Sequence, residues 1–536
     1  MRKNKSQKKS LIEQIFYGFI YALPVVLIFS YHPVISLGSN ETMNFELSLP
    51  LLWLTFFDIL VVILFFKNKL WKNVLKKWQW LLFPIFVSLS IIWSLNVLRG
   101  VLTVGILWLL YLAVFGFFEL RSIFISEDFC KKWWKVFYGS ALFVCGFCLI
   151  QCVLDLAGVS QDATLMCDGC TYKMFGFPHP NGFAIEPQFM GNLLIAPAIM
   201  AAWMLLQKQQ SKNLGRESSR GRIFYNRSGG PAPKLQFRAR SVTVVKNTSG
   251  SDFLSSKFLL CYFCILTTTL FLTFSRGAIY AFILAMMVLT IWEIWKTKKW
   301  RAMILWPVII LSFLFALNLQ GIFAQVSKTD DTYATGVAKV INHFSLGIIE
   351  IPVQTNSGAV ESGESSEVLE SEMKNELESE PENKSENEAV FDGYVAESTD
   401  TRVRLSDSAL KIWSQDFKTM TFGVGIGGAG QALYKNGLSP APKEIVQNEY
   451  ASLLLETGLA GVSLAVLVVV LVVLAIRKSE NKMIIVVLMI AYSATLLFFS
   501  GLPNVLHIYL LTGFFSVFLF NSNKLFNLAS GENLKK

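Results

Sequence analysis

Long apolar runs alternate with short polar segments along most of the chain. A helix of about 20 residues crosses ~30 Å of hydrocarbon, and twelve runs approach or exceed that length: 14–36, 49–66, 78–97, 100–120, 134–156, 185–206, 258–274, 277–295, 302–323, 450–476, 483–500 and 506–520. The pattern breaks at the polar segment 324–449. It predicts an all-α polytopic membrane protein of about 12 transmembrane helices, with a large loop between helices 9 and 10.

The composition agrees with this class. The chain is 53% hydrophobic and 16% charged, with a mean hydropathy of +0.47, whereas soluble domains are about 25% charged. The basic start, residues 1–10, resembles that of a signal peptide. Because no small-residue cleavage site follows the first apolar run, we expect that run to remain as a helix.

The distribution of Lys and Arg predicts the orientation. With a cytoplasmic N-terminus, 35 of the 48 basic residues fall in the cytoplasmic segments 1–10, 67–77, 121–135, 207–257, 296–301, 477–482 and 521–536. The short outer segments keep Arg99, Lys173 and Arg276. The positive-inside rule then places both termini in the cytoplasm and the segment 324–449 outside. The net charge of +10 is explained by contact with anionic membrane lipids, and no nucleic-acid partner is expected.

Three regions follow along the chain. Residues 1–323 contain helices 1–9, with a basic cytoplasmic loop at 207–257, and residues 450–536 contain helices 10–12 and a cytoplasmic tail. Between them lies the extracytoplasmic loop 324–449. Its part 350–400 has 15 Asp or Glu against two Lys, which predicts disorder. The part 401–449 is expected to be ordered and to carry the active site.

Two cysteines, Cys167 and Cys170, fall in another outer loop. No second cysteine pair stands at metal-binding spacing, which argues against a zinc site. The sequence leaves open whether the two form a disulfide or stay as free thiols.

Arg276 is the most conspicuous single residue. It stands between two apolar runs, with only Ser275 and Gly277 as small or polar neighbours. A charge at such a place either marks a functional site or reaches the lipid headgroups as an anchor. A guanidinium matches phosphate oxygens with two parallel hydrogen bonds. Arg402 and Arg404 are candidates for the same ligand, but residues two apart on a helix face different directions.

Local structure around these arginines is also predictable. Residues 405–413 have apolar residues at helical spacing. Phe422–Gly430 contains five glycines in nine residues, which predicts a tight loop or a close backbone approach. Asn448, Glu449 and Tyr450 then begin the tenth span.

Three blocks of sequence resemble the O-antigen ligase and O-antigen polymerase family of bacterial envelope glycosyltransferases. LTFSRGAIYAFILAMMVL resembles that family's Ser-Arg-Gly turn between two spans. TRVRLSDSALKIWSQDFKTMTFGVGIGGAG resembles its Arg-led helix and Gly-x-Gly turn, and VQNEYASLLLETGLAG its His-Asn-x-Tyr stretch and Glu-Thr-Gly-Leu helix entry. SIIWSLN and FPHPNGFA resemble motifs of the family less closely.

The resemblance implies a function at the outer face of the bacterial cytoplasmic (inner) membrane. A glycan would pass from a polyprenyl-diphosphate-linked donor of the undecaprenyl type to a glycan or lipid acceptor, with neither a metal nor a cofactor. Arg276 and Arg402 would hold the diphosphate, with Arg404 as the alternative to Arg402. Gly423 and Gly425 would shape the loop, together with Gln447 and Asn448.

One position departs from the family. Gln447 stands where the ligases have His, and Gln cannot act as a general base near neutral pH. The departure favours a repeat-unit polymerase over a strict ligase. Candidate substitute bases are His179, Glu186 and Glu449. All four histidines, His32, His179, His343 and His507, are expected at or near the outer face.

Two other functions compete with the enzyme. A lipid-linked oligosaccharide flippase also suits twelve spans, but transporters usually show paired halves, and residues 1–257 and 258–536 show no repeat. An inactive envelope scaffold would fit Gln447.

Overall fold

The computed structural model describes residues 10–40, 43–167, 178–225, 255–298, 300–326, 332–345, 351, 389–477, 479, 481–499, 502 and 505–521. The α-helices in this part of the chain are α1 (Leu11–Ile28), α2 (Leu49–Lys67), α3 (Trp71–Lys76), α4 (Leu82–Leu89), α5 (Val97–Phe124), α6 (Glu127–Leu156), α7 (Gln161–Thr164), α8 (Pro187–Tyr225), α9 (Ser256–Leu272), α10 (Arg276–Thr297), α11 (Leu305–Val326), α12 (Tyr333–Ser345), α13 (Ala389–Trp413), α14 (Phe417–Phe422), α15 (Ala429–Lys435), α16 (Glu449–Ile476), α17 (Lys482–Thr495) and α18 (Leu506–Asn521).

The fold is that of an all-α polytopic membrane protein. Within the described residues, eight helices are long and apolar enough to cross a membrane: α1, α2, α5, α6, α8, α10, α16 and the helical stretch Trp300–Val326 that contains α11. Shorter apolar helices lie at the other four predicted spans, at Trp78–Trp93, Ser256–Leu272, Lys482–Thr495 and Leu506–Leu519. Every predicted span therefore meets an apolar helix, and a total of twelve crossings remains a prediction.

The first predicted span, 14–36, is wrong at its C-terminal end. Helix α1 ends at Ile28, and the chain then forms an antiparallel hairpin of β1 (Val34–Asn40) and β2 (Met43–Ser48). The sequence VISLGSN contains β-branched and turn-forming residues, which suit a strand and its turn better than a helix. This hairpin is a small departure from an all-α chain.

Two predicted boundaries also fall inside helices. The segment 207–257 begins as a continuation of α8, which reaches Tyr225; residues 226–254 lie outside the described part. Likewise α13 starts at Ala389, within the predicted acidic segment 350–400, and residues 352–388 are outside the described part. The helix predicted at 405–413 is the C-terminal part of α13.

Side-chain caps fix the ends of the helices that meet near Arg276. Ser255 caps α9, Ser275 caps α10 and Asn448 caps α16, each by accepting hydrogen bonds from backbone N–H groups of the first turn. Such a cap is worth ~1 kcal/mol. Helix α10 packs on α17 and α8, and α12 packs on α11. The turn between α9 and α10 lies beside α12, where Phe274 meets His343, and beside the start of α8 at Gly191.

Candidate functional site

The turn Thr273–Ser275 joins α9 to α10 and places Arg276 at the first position of α10. Within it, Phe274 has φ of +47°, in the left-handed region that a bulky residue rarely adopts. Gly191 of α8 lies against this turn, because a Cβ there would be 3.0 Å from Oγ1 of Thr273 and 3.2 Å from Cβ of Ser275. The turn is thus held in an unfavourable conformation by close packing, as often happens at functional sites.

His343 of α12 contacts the strained residue. Its Nε2 lies 3.0 Å from the carbonyl oxygen of Phe274. A carbonyl only accepts hydrogen bonds, so Nε2 carries the proton and Nδ1 carries the lone pair of the neutral ring. Nδ1 is buried and has no hydrogen-bond partner within the part of the chain that the structure describes. The neutral imidazole therefore presents an unused acceptor.

Small residues hold α12 in place. A Cβ at Gly336 would be 2.6 Å from Cβ of Ala324 and 3.2 Å from the carbonyl oxygen of Gln320, so α11 and α12 approach each other closely there. The hydroxyl of Tyr280, on α10, also donates to the carbonyl of Phe344 at 2.6 Å. These contacts fix His343 relative to α10 and α11.

His179 lies close to both Phe274 and His343. Its ring centroid is 5.2 Å from that of Phe274 and 6.1 Å from that of His343, and the side chain is buried. The loop that carries it is bound by side-chain amides. Gln320 donates to the carbonyl of Pro178, and Asn181 donates to the carbonyls of Leu165, Ala184 and Ile185.

The structure brings Arg276 and Arg402 together. Both are partly buried, whereas Arg404 is exposed, as expected for residues two apart on one helix. The charge of Arg402 acts on Arg276, and both charges act on His343. Nη1 of Arg276 is buried and has no hydrogen-bond partner among the described residues. The cluster is thus a pair of cations beside two histidines.

The electrostatics keep both histidines neutral. Burial lowers the pKa of His343 to about 4, and the positive charges of Arg276 and then Arg402 add to this effect, against a smaller opposing contribution from the hydrogen bond to Phe274. The pKa of His179 falls well below its ordinary value because of burial and, secondarily, the nearby His343. At neutral pH both rings are therefore uncharged.

The two candidate carboxylates lie at the N-terminal ends of helices. Glu449 begins α16, and its Oε1 accepts a hydrogen bond from Tyr509 at 3.2 Å, while its backbone N–H donates to Leu496. Glu186 is exposed just before α8. Gln447 is partly buried, and Asn448 next to it caps α16 through Tyr450 and Ala451. The backbone bond to Leu496 ties the start of α16 to the turn 496–499, and Gly277 packs against Phe498 of this turn.

The glycine-rich turn has a structural role. Gly423, Gly425 and Gly427 have φ of +72°, +88° and +76°, values that favour glycine. A Cβ at Gly425 would lie 2.3 Å from Cα of Ser94. The turn binds the segment 90–96 through Ser94 Oγ, which donates to Ile426, and through the Leu95 N–H, which donates to Val424. The segment SIIWSLN and the glycine-rich turn, which both resemble family motifs, are thus in contact.

The same turn also meets a kink in α16. Gly458 has φ of +60°, and the carbonyls of Leu455 and Glu456 accept hydrogen bonds from Val424 and Gly425. The predicted close backbone approach is therefore present, on both sides of the turn.

Residues 261–466 match the family model Wzy_C, O-antigen ligase. This segment is similar to an O-antigen ligase domain. The matched segment includes Arg276, His343, Arg402 and the glycine-rich turn. The family resemblance inferred from the sequence is confirmed by this match. A comparison with curated proteins finds no match.

Sequence reasoning missed two residues of this site within the matched segment. His343 was noted only as one of four histidines on one face, and Phe274 only as part of an apolar run. The amphipathic stretch YATGVAKVINHFS carried a signal, because Gly336, Val340 and His343 recur at helical spacing, and all three are buried in α12. No sequence pattern indicates the positive φ of Phe274.

Proposed function

We propose that this integral membrane protein is a glycosyltransferase that polymerises oligosaccharide units linked to a polyprenyl diphosphate, at the outer face of the cytoplasmic membrane. The observation that carries the proposal is the pair Arg276 and Arg402. Two cations held close together and partly buried repel each other, and an anion between them offsets that repulsion. A diphosphate with two phosphoryl groups suits two guanidiniums.

The chemistry follows from this arrangement. When a glycosyl group leaves a lipid diphosphate, negative charge develops on the diphosphate, and fixed positive groups stabilise that charge in the transition state. Arg276 and Arg402 remain charged at every physiological pH. Arg404, which is exposed, is proposed to have no direct part in binding.

Two features support the outer face. The charge asymmetry of the sequence favours cytoplasmic termini. Cys167, at the start of the loop that leads to His179, is disulfide-bonded, and disulfides persist in oxidising compartments outside the cytoplasm. Cys170 lies outside the described residues.

The proposal is tested by complementing a deletion strain with single variants. We expect Arg276→Ala and Arg402→Ala to abolish long surface glycan while the protein still accumulates in the membrane. Arg276→Lys should also fail, because an ammonium does not provide the two-pronged contact of a guanidinium. Arg404→Ala is the matched control and should retain long glycan. Normal glycan length with Arg276→Ala would refute the proposal.

The same gels distinguish the ligase alternative, which the family match supports directly. Loss of a polymerase leaves single repeat units on the acceptor, whereas loss of a ligase leaves long chains on the lipid carrier. A flippase would instead move labelled lipid-linked sugar across reconstituted vesicles without changing its chain length.

A further inference from the structure

The geometry of His343 would not be explained by diphosphate binding alone. Its ring is buried on a helix fixed by α10 and α11, its Nε2 proton is directed to Phe274, and its Nδ1 has no partner among the described residues. A buried acceptor without a partner costs about 1–3 kcal/mol. Such an atom next to the two arginines is available to a hydroxyl group of a substrate.

We propose that Nδ1 of His343 accepts the proton of the acceptor hydroxyl, in place of the histidine that this chain lacks at Gln447. This inference rests on the proposed glycosyltransferase function. The acceptor oxygen forms the new bond to the anomeric carbon of the donor sugar. The bond from that carbon to the diphosphate oxygen breaks, its electron pair leaves with the diphosphate, and the hydroxyl proton passes to Nδ1.

The surrounding charges make the basicity of His343 depend on the donor. The groups that act on it are Arg276 from α10, Arg402 from α13 and His179 from the loop before α8. In the free protein the two arginines disfavour a proton on the ring. A bound diphosphate neutralises them, so the same ring becomes a stronger base only when the donor is in place.

Phe274 determines which nitrogen is available. Its left-handed backbone aims the carbonyl at Nε2, which fixes the tautomer with the lone pair on Nδ1, much as a carboxylate orients the histidine of a catalytic triad. Phe274 is in this sense a positioning residue. The unfavourable φ of Phe274 thus serves to orient the ring of His343.

The first experiment measures polymer formation in membrane vesicles from complemented strains, which contain their own lipid-linked donor. We expect His343→Gln to lower the rate by about 10²–10⁴-fold, the usual contribution of a general base. Imidazole added to His343→Ala should restore part of the activity, which a purely structural role would not allow. His32→Gln removes another histidine of the same predicted face and is the matched control with unchanged activity.

The second experiment uses inorganic pyrophosphate as the probe of the purified full-length protein. Calorimetry in buffers of different ionisation enthalpy gives the number of protons taken up on binding. His343→Gln should bind pyrophosphate as the wild type does but take up fewer protons. Thermal unfolding of the same variant establishes that it is folded.

The outcomes separate the two proposals. If wild-type vesicles form polymer, Arg276→Ala does not, and His343→Gln does at the wild-type rate, the role of His343 is refuted and the proposed function stands. If His343→Gln loses pyrophosphate binding and thermal stability together, and imidazole restores nothing to His343→Ala, the residue is structural and the inference is also refuted. If wild-type vesicles form no polymer and bind no pyrophosphate, the proposed function itself fails.

Discussion

The carbonyl oxygen of Phe274 lies 3.0 Å from Nε2 of His343, and Phe274 reaches this position with φ of +47°. Phe274, two residues before Arg276, thereby connects three elements of the site. Its carbonyl orients one histidine, its ring contacts the other, and its backbone directs the start of α10.

The strain at Phe274 predicts an inverted order of stability. Both Phe274→Ala and Phe274→Gly lose the buried ring, at about 3–5 kcal/mol, but only alanine keeps a Cβ in the left-handed region, which costs ~1 kcal/mol. The glycine variant should therefore be the more stable of the two in unfolding experiments in detergent. At Phe271, buried within α9, the usual order should hold, with glycine less stable by about 0.5–1 kcal/mol. The same order at both positions would contradict the strain.

The low pKa of His343 predicts sensitivity to acid. Above about pH 6.5 the residue is neutral in both the folded and the unfolded chain. Between that pH and about 4, the unfolded chain binds a proton that the folded protein does not. The free energy of unfolding therefore falls as the pH falls, by on the order of 3 kcal/mol in total. His343→Gln should remove this part of the pH dependence, as measured by unfolding from pH 7 to pH 4.

Arg276→Ala provides a second check on that effect. Removing one of the two nearby charges raises the pKa of His343, so the stability of this variant should fall less steeply with acid than that of the wild type. Identical pH dependence in the wild type and both variants would show that His343 is not the group responsible.

The glycine-rich turn predicts one severe and one mild substitution. In Gly425→Ala the new Cβ meets the backbone of Ser94 at 2.3 Å, at a residue with φ of +88°. Because backbone atoms cannot move aside as a flexible side chain can, we expect loss of folded protein from the membrane. Gly437 has a similar φ of +67° but nothing within 4 Å. Gly437→Ala should cost only about 1 kcal/mol and accumulate normally, and equal accumulation of the two variants would refute the close approach.

Replacing Asn181, in the loop that carries His179, should strongly lower the stability although the side-chain volume hardly changes. The amide nitrogen of Asn181 donates to three carbonyls, so Asn181→Asp would place a buried carboxylate against three acceptors. We expect a loss of several kcal/mol and, through the loop, displacement of His179. Asn318→Asp is the control, because that side chain is exposed and donates to the single carbonyl of Leu314. The measurement is the difference in melting temperature between the two variants.

Periodicity and residue type predicted much of this molecule, because a membrane imposes simple rules of length and hydropathy. The positions of the apolar helices and the close approach at Gly425 both depend on local sequence, whereas the role of Arg276 stays a prediction. Pairing of Arg276 with Arg402, and not with Arg404, was left open, because it depends on how α13 packs. The strained φ of Phe274 and the orientation of His343 could not be predicted, since both arise from contacts between distant segments.

The helix that carries His343 and the helix that carries Arg402 lie on either side of residues 346–388, which contain most of the acidic run. Each helix is fixed by its own neighbours, α12 by α11 and α13 by α16. As a general rule, closing a loop costs only about 0.6 kcal/mol more in entropy for each doubling of its length. A change in the length of this connection is therefore expected to leave both helices, and with them the cationic centre, in place.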